Sequence, residues 1–234
     1  MHTYGKAKCR VVLHKVHFMA RKMRSNSKTH KNFGNTIDRG EIMEVKIEDL
    51  KKMMNSSNTA LVVWDVQNML VNRIFNKDEF INNLKKVIDA ARKAGMPVFF
   101  TKITPLPDKF ESQARKLAYR GGFGNMKKED FELYLEPAKD ETVFNKHTAS
   151  IFVGTPFELM LNNAGIKNIL FTGIATEIGV ESSAREASNK GYLPIIIKDC
   201  VSSSDKEAHE RSLKNLDKMM VLADSATISK ALME

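Results

Sequence analysis

The chain has 234 residues, of which 42% are hydrophobic and 28% charged, a balance typical of a globular protein with a full-sized core. Its formal net charge of +9 arises within residues 1–36, which hold nine lysines and arginines and no acidic side chain. Residues 37–234 carry 28 basic and 28 acidic side chains, and a neutral body of this kind excludes a requirement for a polyanionic partner.

The sequence also lacks the segments that direct a chain into or across a membrane. No apolar run reaches the roughly 20 residues of a spanning helix, and the first residues lack the apolar core of a secretion signal. Cys9 and Cys200 show no CxxC spacing, so there is no disulfide framework and no cysteine-rich metal site. We therefore expect a cytoplasmic protein without a metal or cofactor.

The basic residues suggest a division of the chain into an extension, residues 1–44, and a domain, residues 45–234. The arm at residues 1–36 allows three interpretations: a solvated tail that touches nucleic acid through phosphates, an extension lying outside the domain, or a natural start at Met43. We favour a peripheral arm or an over-long start, with nucleic acid an improbable partner.

Apolar runs and helical periodicities alternate along the domain. Residues 59–65 are nearly all apolar and β-branched, which is typical of a parallel strand covered on both faces. Residues 103–140 are interrupted by prolines and a glycine cluster, which favours a functional lid over a plain connection. The predicted strands are residues 59–65, 97–101, 141–145, 168–172, 193–198 and 220–222. The predicted helices cover residues 45–55 and start near Lys77, Thr155, Thr176, Ser204 and Ser225.

Six strands that alternate with helices predict an α/β fold with a doubly wound parallel sheet and helices on both faces. Ligands of such sheets bind at the carboxyl ends of the strands. Neither a Gly-x-Gly-x-x-Gly nor a phosphate-binding Gly-x₄-Gly-Lys motif follows the first strand, so the usual nucleotide fingerprints are absent.

The organising stretch is residues 171–182, where an apolar run ends in Thr-Gly and turns at once into a helical segment. A strand that feeds a helix directly presents the helix N-terminus to the sheet edge, and such an end favours negative charge. Thr176 is the predicted N-cap of this helix.

This stretch, TGIATEIGVESSAREA, resembles the isochorismatase-like hydrolases, also called cysteine hydrolases. Two further blocks of that family occur in the right order, ALVVWDVQNML with Asp65 and VFNKHTASIFVGTPFELML with Lys146. The resemblance covers about residues 59–231. The family's nucleophilic cysteine falls on Gly179.

The resemblance implies a three-layer, Rossmann-like fold with strand order 3-2-1-4-5-6, a small organic substrate and a homo-oligomer. It implies that Asp65 acts as general acid or base, that Lys146 is its electrostatic partner, and that the Ile174–Ala175 peptide bond is cis. It also assigns the backbone of Ala175 and Gly179 to the site. The nicotinamidase branch carries an Asp-x-His…His metal site, and residues 66–120 contain no histidine, which argues against a metal.

Several candidate residues allow two interpretations. Gln67 is predicted to bind substrate or only to brace its loop, and Thr176 is grouped with the substrate-binding residues. Glu177 is expected to face the ligand, although a carboxylate in the first turn of a helix is explained by the dipole alone. Glu181 and Arg185 are expected to pair along the helix, because they are four residues apart.

Gly179 decides the mechanism. Glycine supplies an amide but no thiolate, yet the isochorismatase branch proper also has glycine here and hydrolyses a vinyl ether by acid chemistry. One interpretation is therefore a hydrolase that uses Asp65 and Lys146 without a nucleophile; the alternative is a non-catalytic member that binds a ligand or serves as an oligomer subunit. If the scaffold is otherwise intact, Gly179→Cys is expected to create a reactive thiol.

Overall fold

The computed structural model describes residues 47–118 and 126–233, so the basic extension at residues 1–44 lies outside the described residues. Six parallel strands form one sheet in the order β3-β2-β1-β4-β5-β6, which confirms the predicted α/β fold and strand order. The strands are β1 (Thr59–Trp64), β2 (Val98–Ile103), β3 (Thr142–Lys146), β4 (Asn168–Ile174), β5 (Leu193–Ser202) and β6 (Val221–Ala223).

Helices connect these strands and cover both faces of the sheet. They are α1 (Ile47–Met53), α2 (Asn68–Val71), α3 (Lys77–Lys93), α4 (Gln113–Ala118), α5 (Phe157–Asn163), α6 (Glu181–Asn189), α7 (Lys206–Asp217) and α8 (Ser225–Met233). No helix within residues 47–118 and 126–233 is both long and apolar enough to cross a membrane.

The core has two halves, because side chains of a strand alternate between the two faces of a sheet. One cluster joins Leu61 and Val63 of β1 to α3, α1 and α8, and the other joins Val62 and Trp64 to α5, α6 and α7. Every residue of β1 and of β4 is buried. These two central strands therefore lie in the core of the domain, and their carboxyl ends lie side by side at one edge of the sheet.

Two helices begin close to their predicted starts, Thr155 and Ser204. Asp205 caps α7, since its side chain accepts a 2.9 Å hydrogen bond from the Ala208 amide. Before α5, the Thr155 hydroxyl donates to the Ile151 carbonyl and accepts from the Phe157 amide, so that it closes the preceding turn.

Candidate active site

The candidate site lies at the carboxyl edge of the sheet, where β1 and β4 run side by side and the strand order reverses. Trp64 is the last residue of β1, and Asp65 follows it with a φ of +46°, a left-handed conformation that non-glycine residues rarely adopt. Lys146 is the last residue of β3. Because all strands are parallel, both charged side chains project from the same edge.

Asp65 and Lys146 form a buried ion pair. Lys146 Nζ donates to Asp65 Oδ2 over 2.6 Å, and the two residues are 4% and 2% exposed, respectively. Thr101 of β2 donates its hydroxyl to the other carboxylate oxygen, Oδ1, over 2.5 Å, and accepts the Asp65 backbone N–H. Lys146 Nζ also donates to the Thr148 carbonyl over 3.2 Å. Each carboxylate oxygen therefore already has a donor from the protein.

Burial shifts both groups of the pair towards their neutral forms. Desolvation raises the pKa of Asp65 above 3.8, against the opposing effects of Lys146, Thr101 and Arg115. Desolvation likewise lowers the pKa of Lys146 below 10.5, against the opposing effect of Asp65. The Asp65 carboxyl consequently holds a proton more tightly than an exposed aspartate would.

Trp64 covers the pair from the side of β1. The Lys146 ammonium lies 3.9 Å from the centroid of the indole ring, within cation–π range. The indole is 1% exposed and forms part of the cavity wall.

The same indole occupies the space beside Gly179. A Cβ atom built on Gly179 lies 2.0 Å from Trp64 Nε1, 2.2 Å from Cε2 and 2.5 Å from Cζ2. No side chain fits at position 179 while Trp64 keeps this place. Gly179→Cys therefore requires the Trp64 ring or the start of the helical segment to move, and the reactivity of the new thiol stays a prediction.

A cavity of about 610 Å³ opens above the pair. Trp64, Asp65, Lys146, Ala175 and Gly179 all line it, so the structure brings these predicted residues to one place. The Ile174–Ala175 peptide bond beside it is cis, as the resemblance implies.

Two predicted substrate-binding residues do not line this cavity. Gln67 is fully buried, where its side-chain amide accepts from the Ile103 amide over 2.9 Å and donates to the Ile103 and Phe131 carbonyls. Gln67 thus braces the loop, the second of its two interpretations. Thr176 is also buried, and its hydroxyl donates to the Ser202 carbonyl and bonds His209 Nδ1.

Thr176 is not an N-cap either, because a π-helical turn, Thr176–Val180, precedes α6. The hydroxyl of Thr176 has one hydrogen, which it donates to the Ser202 carbonyl, so His209 Nδ1 must carry the hydrogen of the bond between His209 and Thr176.

The predicted ion pair between Glu181 and Arg185 at the start of α6 is confirmed. Arg185 Nη2 lies 2.6 Å from Glu181 Oε1.

Glu177 lies in the π-helical turn and lines the cavity. Its Oε1 accepts a 2.8 Å hydrogen bond from the Ser203 hydroxyl. Its Oε2 is buried, and no hydrogen-bond donor in the described part of the chain reaches it.

Arg115 of α4 was not identified from the sequence. It lines the cavity, donates to the His147 carbonyl and lies 3.4 Å from Glu111. Its positive charge opposes the rise that burial causes in the pKa of Asp65, and it adds to the fall that burial causes in the pKa of Lys146. The irregular segment in which Arg115 lies carries no motif, so only its three-dimensional position reveals it.

The isochorismatase domain model matches residues 59–227 of the chain. This range runs from the first residue of β1 into α8 and contains the whole site. The chain belongs to the isochorismatase family.

Relatives and solved structures agree with this membership. The chain is 36% identical over 172 residues to the isochorismatase family protein YwoC of Bacillus subtilis, covering 69% of this chain and 89% of YwoC. It is 30% identical to nicotinamidase 3 of Arabidopsis thaliana, covering 73% and 86% of the two chains. An isochorismatase family structure from Burkholderia thailandensis superimposes with a TM-score of 0.68 at 29% identity, over 76% of this chain and 97% of that one.

By this membership the chain is an isochorismatase-family hydrolase. Within its described residues there is no group of three or more His, Cys, Asp or Glu side chains placed to hold a metal ion. Cys200 is fully buried, and burial raises the pKa of its thiol, so it does not supply a thiolate to this isochorismatase-family site. Cys9 lies outside the described residues.

Proposed function

We propose that this isochorismatase-family protein hydrolyses a small organic substrate without a covalent enzyme intermediate, with Asp65 as the general acid or base and Lys146 as its electrostatic partner. The observation that carries the proposal is the buried 2.6 Å pair in the cavity wall, next to a position where a nucleophilic side chain has no room.

The environment of Asp65 suits acid catalysis. A general acid works best when its pKa approaches the operating pH, and burial raises the pKa of Asp65 towards that range. In a vinyl ether, the Asp65 carboxyl would give its proton to the double-bond carbon. Water would then add to the resulting oxocarbenium carbon, the proton of that water would return to Asp65, and the hemiketal would separate into a carbonyl compound and an alcohol.

Lys146 supports both halves of this cycle. When Asp65 is ionised, the ammonium 2.6 Å away stabilises the carboxylate, and its contact with the Trp64 ring and the Thr148 carbonyl fixes its position. The same pair would serve an amide substrate by taking a proton from attacking water. Nicotinamidase 3 and the ureidoacrylate amidohydrolases are relatives whose names indicate amide substrates, so amides belong in the test.

The test combines a substrate panel with a search for a covalent intermediate. Purified protein is incubated with isochorismate, nicotinamide and ureidoacrylate, and the products are identified by mass spectrometry. We expect hydrolysis of one class and no mass adduct on the protein after rapid quenching. In heavy water, a vinyl ether product should gain one deuterium at the protonated carbon.

Asp65→Asn is the decisive variant, and Glu181→Gln is its control because Glu181 pairs with Arg185 on α6 and does not line the cavity. Asp65→Asn should lower kcat by about 10²-fold or more, the usual contribution of a general acid or base, whereas Glu181→Gln should leave it unchanged. An adduct on the protein, or full activity in Asp65→Asn, would contradict the proposal. Binding without turnover of every compound would instead support the ligand-binding alternative.

A further inference from the structure

The Lys146 ammonium has three hydrogens to donate, and oxygen atoms of the described residues accept two of them. Asp65 Oδ2 lies 2.6 Å from Nζ, and the Thr148 carbonyl oxygen lies 3.2 Å from it. The side chain of Lys146 is 1% exposed, so little of the ammonium is left for water. Because an unused donor on a buried charge is costly, the group on the remaining side of the nitrogen matters.

The indole ring of Trp64 lies on that side of the ammonium. The ring centroid is 3.9 Å from Lys146 Nζ, a distance at which the negative face of an aromatic ring attracts a cation. Trp64 is 1% exposed, and a cation–π contact is strongest when it is shielded from water. The neighbours of Nζ are therefore a carboxylate, a carbonyl and a ring face.

The other charges around Lys146 do not secure its positive charge by themselves. Burial favours the neutral amine and lowers the pKa of Lys146, and the positive charge of Arg115 on α4 acts in the same direction. Asp65 opposes both effects, but burial also raises the pKa of Asp65, and a protonated Asp65 no longer attracts the ammonium. The attraction of the ring face does not depend on the protonation of Asp65.

The ring keeps this place because residue 179 is a glycine. A Cβ atom at position 179 would lie 2.0 Å from Trp64 Nε1, so a larger residue there would push the ring or the helical turn away. One edge of the indole thus lies against Gly179, while its face lies against Lys146. The glycine therefore makes room for the third neighbour of the ammonium.

We propose that Trp64 is a positioning residue of this site, whose ring face holds the Lys146 ammonium beside Asp65 and keeps it charged. This inference rests on the proposed function, in which a charged Lys146 stabilises the carboxylate that forms when Asp65 gives up its proton. It adds that the charge of Lys146 persists while Asp65 is still protonated, because the ring attracts the ammonium when the carboxyl does not.

The chain has a single tryptophan, so the electronic character of this ring can be changed with little change of shape. Growth of a tryptophan auxotroph on 4-, 5- or 6-fluorotryptophan alters residue 64 alone, and fluorine draws electron density away from the ring face. Lysine labelled with carbon-13 at Cε reports the protonation of each amine by NMR over a pH series. Lys146 and the control Lys190, whose Nζ lies 5.5 Å from the centroid of the Phe152 ring, are identified by the signals lost in Lys146→Arg and Lys190→Arg.

We expect each of the three fluorinated rings to move the titration midpoint of Lys146 to lower pH by a similar amount, because the weaker face attracts the ammonium less. Trp64→Leu removes the face and should lower the midpoint further, by about one pH unit, the size of a buried cation–π contact. The Lys190 midpoint should stay unchanged. If Trp64→Leu does not fold, the fluorinated proteins decide the question.

Two results would overturn the proposal. One is a Lys146 midpoint that is the same in the fluorinated proteins as in the wild type. The other is a set of shifts that follows the position of the fluorine rather than its presence, since this would indicate a steric effect.

The pH dependence of turnover separates positioning from a merely structural role. For any compound of the panel that is hydrolysed, the high-pH limb of kcat should move to lower pH in the same order as the Lys146 midpoint. A limb that stays in place in an active protein would contradict the positioning role.

The NMR titration itself involves no turnover. A protein whose Lys146 midpoint responds to the ring but which hydrolyses none of the panel would refute the proposed function and leave this inference standing. Turnover with an unresponsive Lys146 would do the opposite.

Discussion

Gly179→Ala should destabilise the folded chain by about 1–3 kcal/mol, the usual cost of overpacking a core. The new Cβ would lie 2.0 Å from Trp64 Nε1, whereas carbon atoms in contact prefer about 3.5 Å, so the ring or the helix start must move by about 1.5 Å. The ring cannot move freely, because it is 1% exposed and stacked on Lys146. A loss of about 3 kcal/mol would lower the Tm of a domain of this size by about 6–12 °C.

The background variant Trp64→Leu isolates this contact. Leucine lacks the indole atoms that clash, so Gly179→Ala should there be neutral or stabilising by up to about 1 kcal/mol, the helix preference of alanine over glycine. Urea unfolding followed by far-UV circular dichroism measures all four proteins, since tryptophan emission is absent in two of them. Equal losses in both backgrounds, or no loss in the Trp64 protein, would refute the steric reasoning.

Three further predictions concern charge. Lys146→Met should cost about 3–5 kcal/mol at neutral pH, because it leaves the Asp65 carboxylate buried without its cation, and urea unfolding should show a smaller loss in acid, where the carboxyl is protonated. Burial raises the pKa of Asp65 above 3.8. The contribution of this carboxyl group to the free energy of unfolding is therefore complete below pH 3.8 and is lost as the pH rises through the pKa of the folded state. The stability difference between wild type and Asp65→Asn should shift in favour of the variant as the pH rises. Burial lowers the pKa of His209 below 6.5, so stability should decline as the pH falls from 6.5 through the folded value, and His209→Asn should reduce that decline in a pH series of thermal unfolding.

The strands and helices were predictable because their signals are local, whereas the strand order came from the family resemblance. The apolar runs of β1 and β4 are continuous, as expected of strands buried on both faces, and the observed strands match them to within a few residues. The closeness of Asp65 and Lys146 was also expected, since each follows or ends a strand and parallel strands end at one edge. Their catalytic roles stay predictions.

The parts that the sequence did not predict depend on contacts between distant residues. Thr176 has the right residue type for an N-cap, but Ser202 and His209, which take its hydroxyl, come from the next strand and helix. Trp64 resembles an ordinary strand residue, and its effect on position 179 emerges only when β1 lies beside the start of α6. Arg115 comes from a segment without periodicity.

The contact between Trp64 and Gly179 also constrains the history of this branch of the family. With Trp64 in its present place, a side chain at position 179 lowers stability, whereas glycine at 179 leaves room for a tryptophan or a smaller residue at 64. If an ancestor carried a cysteine at position 179, replacing it by glycine before the tryptophan appeared would have avoided that loss of stability. With the tryptophan in place, a change at position 179 alone carries the loss, so the contact disfavours the return of a nucleophile.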